Sequence, residues 1–237
     1  MIYLDYQATT PLAPEVFDAM APLLRDQFAN PHSAHRAGRA AAAQVEVARE
    51  EIARLLPSGG RLVFTSGATE ALNIAIQGAP AGDIVTIATE HAAVLDTVEA
   101  MRRQGRRVTI LPVDPDGIVD LDAARAAIRP GVALVATMLV NNEIGVIQDL
   151  AAVALTCREH GAWLHSDAAQ AIGKVPLRMD DSEIDLLSFS AHKIYGPKGI
   201  GALFVRRGRP RIRLQSCVDG GGHERGMRSG TLATHQI

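Results

Sequence analysis

Several short segments of this sequence carry residue types suited to chemistry, and each directly follows an apolar run. Ser66-Gly67-Ala68-Thr69-Glu70 offers small residues and a hydroxyl at a helix start, where backbone N–H groups are free to face an anion. Thr89-Glu90-His91 sets an imidazole on a turn, and Asn141-Asn142-Glu143-Ile144-Gly145 sets two adjacent amides on another, which serve a turn or a ligand equally well. Asp167-Ala168-Ala169-Gln170 ends an apolar run on a carboxylate, where an unpaired charge is costly and a cationic partner is needed. Ser190-Ala191-His192-Lys193 ends another on a lysine, ahead of the Gly/Pro-rich turn Ile194-Tyr195-Gly196-Pro197-Lys198-Gly199. Poor solvation at such a place lowers an amine's pKa and suits it to Schiff-base chemistry. Taken singly, each segment has a plain structural reading: a capped helix start, a surface histidine, a turn, a solvated lysine. Together they supply what pyridoxal 5'-phosphate (PLP) requires. The phosphate takes N–H groups and the aldehyde takes an amine. A carboxylate keeps the pyridine nitrogen protonated, so that the ring draws electrons, and an imidazole stacks on it. No Walker loop, Ser–His–Asp arrangement or metal-ligand spacing competes for these residues.

The elements that must position them follow from hydrophobic pattern. Nearly continuous apolar runs predict strands over Arg61–Thr65, Ile84–Ala88, Arg107–Val113, Val132–Leu139, Trp163–Ser166, Asp185–Ser190 and Gly201–Val205. Such runs suit strands covered on both faces. Helices are predicted over Pro14–Phe28, Ser33–Leu56, Thr69–Gln77, Ala92–Gln104, Leu121–Ile128 and Asp149–His160. In the second of these, Val45, Ala48, Ile52 and Leu55 fall on one face, with Pro57 and Gly59-Gly60 as the stop. The alternation reads as an α/β fold with a largely parallel sheet flanked by helices, whose ligands bind beyond the carboxyl ends of the strands. From Arg206 onward the pattern changes: Arg206, Arg207, Arg209, Arg211 and Arg213, read as a solvated charged strand or loop, precede Gly220-Gly221-Gly222.

Composition sets the bounds. The 237 residues carry 24 Lys+Arg against 26 Asp+Glu, a net charge of −2, so direct nucleic-acid binding is not expected. The longest apolar run, Val132 to Val140, is too short to span a bilayer, and the N-terminus shows no secretory pattern, so the expectation is a soluble cytoplasmic protein without membrane contact. The two cysteines, Cys157 and Cys217, are far apart and form neither a disulfide framework nor a cysteine-rich metal site.

The string Ser188-Phe189-Ser190-Ala191-His192-Lys193-Ile194-Tyr195-Gly196-Pro197-Lys198-Gly199 closely resembles the lysine signature of class V, fold-type I PLP enzymes, and within them the cysteine desulfurases of the IscS/NifS type. Tyr3-Leu4-Asp5-Tyr6 with Ala8-Thr9-Thr10-Pro11, Phe64 to Glu70, Thr89 to His91, Asn141 to Gly145 and Gly220 to Thr231 carry the same resemblance, which spans essentially the whole chain. Gln7 and Ala191 stand where relatives often have Ser and Gly.

The resemblance implies that Lys193 takes the cofactor aldehyde and moves protons, and that Asp167 pairs with the pyridine nitrogen. It implies that Gln170 bonds the phenolic oxygen, that His91 stacks on the ring as an acid/base, and that Ala68, Thr69, Ser190 and His192 hold the phosphate. Asn142 is implied beside the ring oxygen and the substrate carboxylate, and Thr231 at the phosphate of a partner subunit's cofactor in a homodimer. Residues 1–12 are expected as an N-terminal arm and 13–237 as the PLP-binding large domain. The family's small C-terminal domain, with its catalytic cysteine loop and substrate-carboxylate arginine, is expected beyond residue 237. Neither Cys157, read as a core residue, nor Cys217 matches that nucleophile. The implied function is conversion of L-cysteine to L-alanine, with sulfur passed as persulfide to acceptors such as an iron–sulfur scaffold or tRNA-thiolation proteins. A class V aminotransferase or lyase, or a PLP-binding remnant without turnover, remains as an alternative.

Overall fold

The computed structural model describes residues 2–177, 184–208 and 211–237, so Arg209 lies outside the described residues. In chain order the elements are α1 (Pro14–Arg25), α2 (Arg36–Ala53), β1 (Gly60–Thr65), α3 (Ala68–Gln77), β2 (Asp83–Ile87), α4 (Ala92–Arg103), β3 (Val108–Leu111), α5 (Leu121–Ala127), β4 (Val132–Ala136), α6 (Leu150–His160), β5 (Trp163–Asp167), β6 (Leu186–Ser190) and β7 (Gly201–Arg206). They build a 7-stranded sheet of order β1-β7-β6-β5-β4-β2-β3. β7 runs antiparallel to both β1 and β6, and the other pairs are parallel. All strands except β7 therefore share one direction, and their carboxyl ends lie along one edge.

Neighbouring strand residues feed opposite faces of the sheet. Phe64, Val85, Val135, Leu187 and Phe204 pack with residues of α2, α5 and α6, whereas Val63, Ile84, Leu134, Leu186 and Leu203 pack with α3 and α4. Both faces being dry is why the strands read as continuous apolar runs, and burying such a side chain contributes about 1.5–3 kcal/mol. Where β1 meets β7 the backbones come very close: a Cβ on Gly201 would stand 2.6 Å from the Gly67 Cα, so only glycine fits there.

The structure departs from the sequence expectation at several places: α1 ends at Arg25 rather than Phe28, and β3 spans Val108–Leu111 rather than Arg107–Val113. α2 stops at Ala53, and Arg54, Leu55 and Leu56 close with i→i−3 bonds to Glu51, Ile52 and Ala53. That tighter turn rotates Leu55 outward, to 57% exposure, and Leu56 inward. β4 pairs regularly only to Ala136, although the N–H groups of Thr137 and Leu139 still donate to β5 carbonyls. In the arginine run, Arg206 is not solvated like its exposed neighbours Arg207, Arg211 and Arg213. Its guanidinium bonds the buried carboxylate of Asp185, whose other oxygen accepts the Leu164 N–H at 2.8 Å.

Candidate active site

A cavity of about 710 Å3 lies at the shared carboxyl edge. The segment after β1 supplies Ala68 and Thr69, that after β2 supplies His91, and that after β4 supplies Asn142. β5 with the turn after it supplies Asp167 and Gln170, and β6 with the turn after it supplies Ser190, His192 and Lys193. β2 and β4 are neighbours whose onward connections leave in opposite directions, the kind of crossing point where open α/β sheets take ligands. Thr231 is the exception among the sequence-selected residues. It borders a separate hollow of about 50 Å3 with Ser66, Gly199 and Arg228.

The start of α3 is built differently from those of α2, α4, α5 and α6, while α1, which opens on Pro14 after Ala13, also lacks a side-chain cap. α2, α4, α5 and α6 each begin on a side chain that accepts an N–H from the first turn, and α3 does not. Its N-cap is Gly67 at φ 155° and ψ 177°, a backbone region in effect reserved for glycine. The plain reading of this segment as a side-chain-capped start is thereby overturned: among the described residues the first-turn N–H groups of Ala68 and Thr69 have no side-chain acceptor, and both residues line the cavity. Glu70 locks the turn from behind, taking the Arg228 Nε–H on Oε1 at 2.9 Å and the Ser66 N–H on Oε2. Burial pushes its carboxyl up, but Arg228 and the Ser66 N–H outweigh burial and hold it below its ordinary pKa.

Asp167 is 6% exposed, and its Oδ1 accepts the Ala169 N–H at 2.8 Å. Burial raises its pKa, opposed by that N–H and by the charges of His91 and Lys193. Among the described residues no cation is bonded to it.

Lys193 Nζ donates to the carbonyls of Gln7 at 2.6 Å and Ala8 at 3.0 Å. Burial lowers its pKa, against Asp167 and Asp5, which raise it. Gln170 donates through Nε2 to the same Gln7 carbonyl at 2.8 Å and accepts from Lys174 Nζ at 2.8 Å. His192 meets the Thr9 hydroxyl at 3.1 Å, and its pKa is lowered by burial, Lys193 and Lys198. Ser190 donates to the Ile200 carbonyl at 3.3 Å.

His91 is the N-cap of α4, and its Nδ1 accepts the Ala93 N–H at 3.1 Å. In the neutral ring the proton therefore sits on Nε2. The adjacent amides divide their work. Asn141 is structural, its Nδ2 donating to the Thr89 carbonyl at 2.9 Å and its Oδ1 accepting from the N–H groups of Glu143 and Ile144. Asn142 lines the cavity.

Sequence reasoning assigns no part in the site to Gln7, Lys174 or Glu90. Gln7 and Lys174 meet Gln170 only through the fold, across 163 residues in the case of Gln7, and no local pattern signals that. Glu90 stood between two noted residues, but its burial at 6% exposure is a tertiary fact. The cysteines line no part of the cavity. Cys157 is buried in the core as expected, with its thiol pushed up to about 12 by burial and Asp185. Cys217 is exposed, and partial burial and Asp219 raise its thiol.

Comparison with known proteins agrees with this geometry. The family model for class V aminotransferases matches residues 2–229. Cysteine desulfurase IscS of Methylobacillus flagellatus is 55% identical over all of this chain and 60% of its own length, and that of Methylococcus capsulatus is 55% identical with the same coverage. The chain thus spans about 60% of the length of these relatives. Among solved structures, SspA in complex with cysteine superposes with a TM-score of 0.93 at 40% identity, covering 100% of this chain and 70% of that one. A NifS-like protein gives 0.92 at 36% identity, over 99% of this chain and 66% of its own. A mostly parallel sheet flanked by helices, ending in one cavity and matched over nearly its whole length by a single family, identifies this chain as a member of the class V aminotransferases.

Proposed function

We propose that these 237 residues form the cofactor-binding domain of a PLP-dependent cysteine desulfurase, with 1–12 as its N-terminal arm and 13–237 as the large domain. The observation that carries this reading is the meeting, around one cavity, of Lys193, a buried Asp167 with no bonded cation, and the uncapped start of α3. These fit the cofactor's amine, carboxylate and phosphate needs. Ala68, Thr69, Ser190 and His192 would hold the phosphate, Gln170 the phenolic oxygen, Asp167 the pyridine nitrogen, and His91 the ring face. When bound, the cofactor supplies an electron sink for the substrate amino acid.

The chain's own residues provide the rest. Asp167 holds a positive charge out of water, where it acts more strongly than at the surface. Lys193, its pKa lowered by burial, gives up a proton more readily than a surface lysine and has two carbonyl acceptors to orient Nζ when unliganded. His91 keeps Nε2 as the proton-bearing atom because α4 uses Nδ1. Asn142 offers an amide to a substrate carboxylate.

The substrate reading, L-cysteine to L-alanine with persulfide passed to an iron–sulfur scaffold or tRNA-thiolation protein, draws its support from the relatives' names and the cysteine complex. The same reading includes a cytoplasmic homodimer in which Thr231 serves the partner subunit's site. Among the described residues no helix is long and apolar enough to cross a membrane. Neither Cys157 nor Cys217 lines the cavity, and burial raises both thiols, so neither supplies the sulfur-accepting thiolate.

Borohydride reduction of the PLP-loaded chain followed by peptide mapping tests the core of this reading. The cofactor mass should sit on Lys193, and Lys193→Ala should lose both the adduct and the bound-cofactor absorption band. An adduct on Lys174 or Lys198 instead would overturn it. Incubating the loaded chain with L-cysteine and with other amino acids separates desulfuration from transamination: alanine from cysteine favours the first, a keto acid from another amino acid the second.

A further inference from the structure

Glu90 is the buried ionisable group that the reading above leaves without work. It is 6% exposed and lies in the turn between β2 and α4, next to His91. Its Oε1 accepts the N–H of Met138. That N–H lies just past the regular end of β4, where Thr137 and Leu139 on either side donate to β5. β2 has already ended at Ile87, so the Glu90 side chain supplies the acceptor that the next strand residue would otherwise provide. Its second oxygen, Oε2, is buried and has no hydrogen-bond partner among the described residues.

An ionised carboxylate with one oxygen bare and buried is costly. The groups around it make the cost greater. The neighbouring loops present neutral Thr89, Met138 and Asn141, with His91 and Glu143 lining the same hollow as Glu90, and the charged group acting on Glu90 is Asp167 from the end of β5, of like sign. His91 and Lys193 act on Asp167 instead. Two buried carboxyls that repel share a single charge, which goes to the one nearer a cation. Burial first, and Asp167 second, push the Glu90 carboxyl well above the ordinary range, in agreement with the geometry.

We propose that Glu90 is a positioning residue that stands uncharged beneath the site, tying the Thr89-Glu90-His91 turn to the end of β4 through Met138 and leaving Asp167 as the one of these two buried carboxyls that carries a charge. The neutrality of Glu90 rests on its own surroundings, and its usefulness to a cofactor rests on the PLP reading above. A neutral acid suits the place because it accepts one N–H without adding a second charge. Glutamine has the same shape and the same accepting oxygen. Alanine has neither.

Two measurements test this. In apo protein labelled with 13C at the glutamate carboxyls, one resonance should keep a protonated carboxyl shift at pH 7. That resonance should vanish in Glu90→Gln. If every glutamate carboxyl of the wild-type chain is ionised at pH 7, the proposal is overturned, even should the variants fail to fold. PLP titration followed by absorbance then reads the positioning role. Glu90→Gln should bind within about threefold of wild type, and Glu90→Ala at least tenfold more weakly. Equal losses in both variants would overturn the role of a neutral acceptor. A wild-type chain that keeps the protonated resonance yet binds no PLP would instead overturn the cofactor reading and leave the neutrality of Glu90 standing.

Discussion

Asp167 ends β5 and Lys193 lies in the turn that follows the adjacent β6, and burial moves both from their ordinary pKa values, raising the first and lowering the second. A carboxyl with a raised pKa holds its proton at pH values where surface carboxylates have lost theirs. Pairing with a protonated pyridine needs the ionised form, so PLP affinity should fall as pH drops through a range above that of ordinary aspartates. Asp167→Asn removes both the charge and this acid limb. Affinity at pH 8 should drop about 10- to 100-fold, the worth of a hydrogen bond to a charged group, and the variant's profile should be flat where the wild type declines. Fluorescence titration at several pH values checks this; a variant that retains the acid limb would show that another group causes it. At this scale the sequence was informative because a charged residue ending an apolar run is conspicuous. The same rule missed Gln7, whose contribution to the site is mainly a backbone carbonyl shared by Lys193 and Gln170, which any residue type would offer.

At the scale of elements, the strands and helices were legible because both faces of the sheet are dry and the helices begin at recognisable caps such as Asp120 and Asp149. The direction of β7 was not, since a short apolar run reads the same either way along the sheet. Nor was the outward turn of Leu55, which depends on the switch to i→i−3 bonding at the end of α2. The β5–β6 pair holds a further feature beyond pattern: His165 is fully buried, its Nε2 facing the Ser188 hydroxyl at 2.9 Å. Burial lowers its pKa from 6.5 to about 3. The folded chain therefore keeps this ring neutral while the unfolded chain takes a proton below about pH 6.5, so stability is lost as pH falls from there toward 3. The slope is at most about 1.4 kcal/mol per pH unit. Between pH 6.5 and 5 the wild type should lose about 2 kcal/mol more than His165→Gln in urea denaturation. Glu90 and Asp167, with raised values, contribute with the opposite sign to both proteins and cancel in the comparison. Parallel curves for the two proteins would remove His165 as the source.

For the molecule as a whole, the open question is what holds residues 211–237, which contribute no strand to the sheet and, among their regular elements, only a short 3-10 turn at Glu224–Gly226. Ile212 and Met227 are buried against α3 and α4, but the segment between them is mostly exposed. Its polar anchor is Glu224. That carboxylate takes both terminal nitrogens of Arg49 on α2, at 2.9 and 3.0 Å, and also the Phe64 N–H of β1 at 3.0 Å. The side chain of Glu224 is 4% exposed and that of Arg49 is 17% exposed, so this bidentate pair is far drier than the surface pairs of the chain. Removing Glu224 takes the carboxylate from both terminal nitrogens and leaves Arg49 with the Glu46 carboxylate at 3.1 Å and the Leu62 carbonyl at 2.7 Å, a loss of up to about 3 kcal/mol. Arg228 on Glu70 makes the second tether and ties the same segment to the start of α3 at the cavity. Positive φ at Glu224 (47°) and Arg225 (58°) is backbone strain that the anchor must offset. Releasing the anchor should therefore free the segment while the sheet persists. Glu224→Ala should be cleaved by trypsin after Arg213 and Arg225 at least tenfold faster than wild type, with far-UV circular dichroism unchanged and PLP affinity weakened through loss of order at Arg228. Equal cleavage rates would mean that the apolar contacts of Ile212 and Met227 hold the segment by themselves.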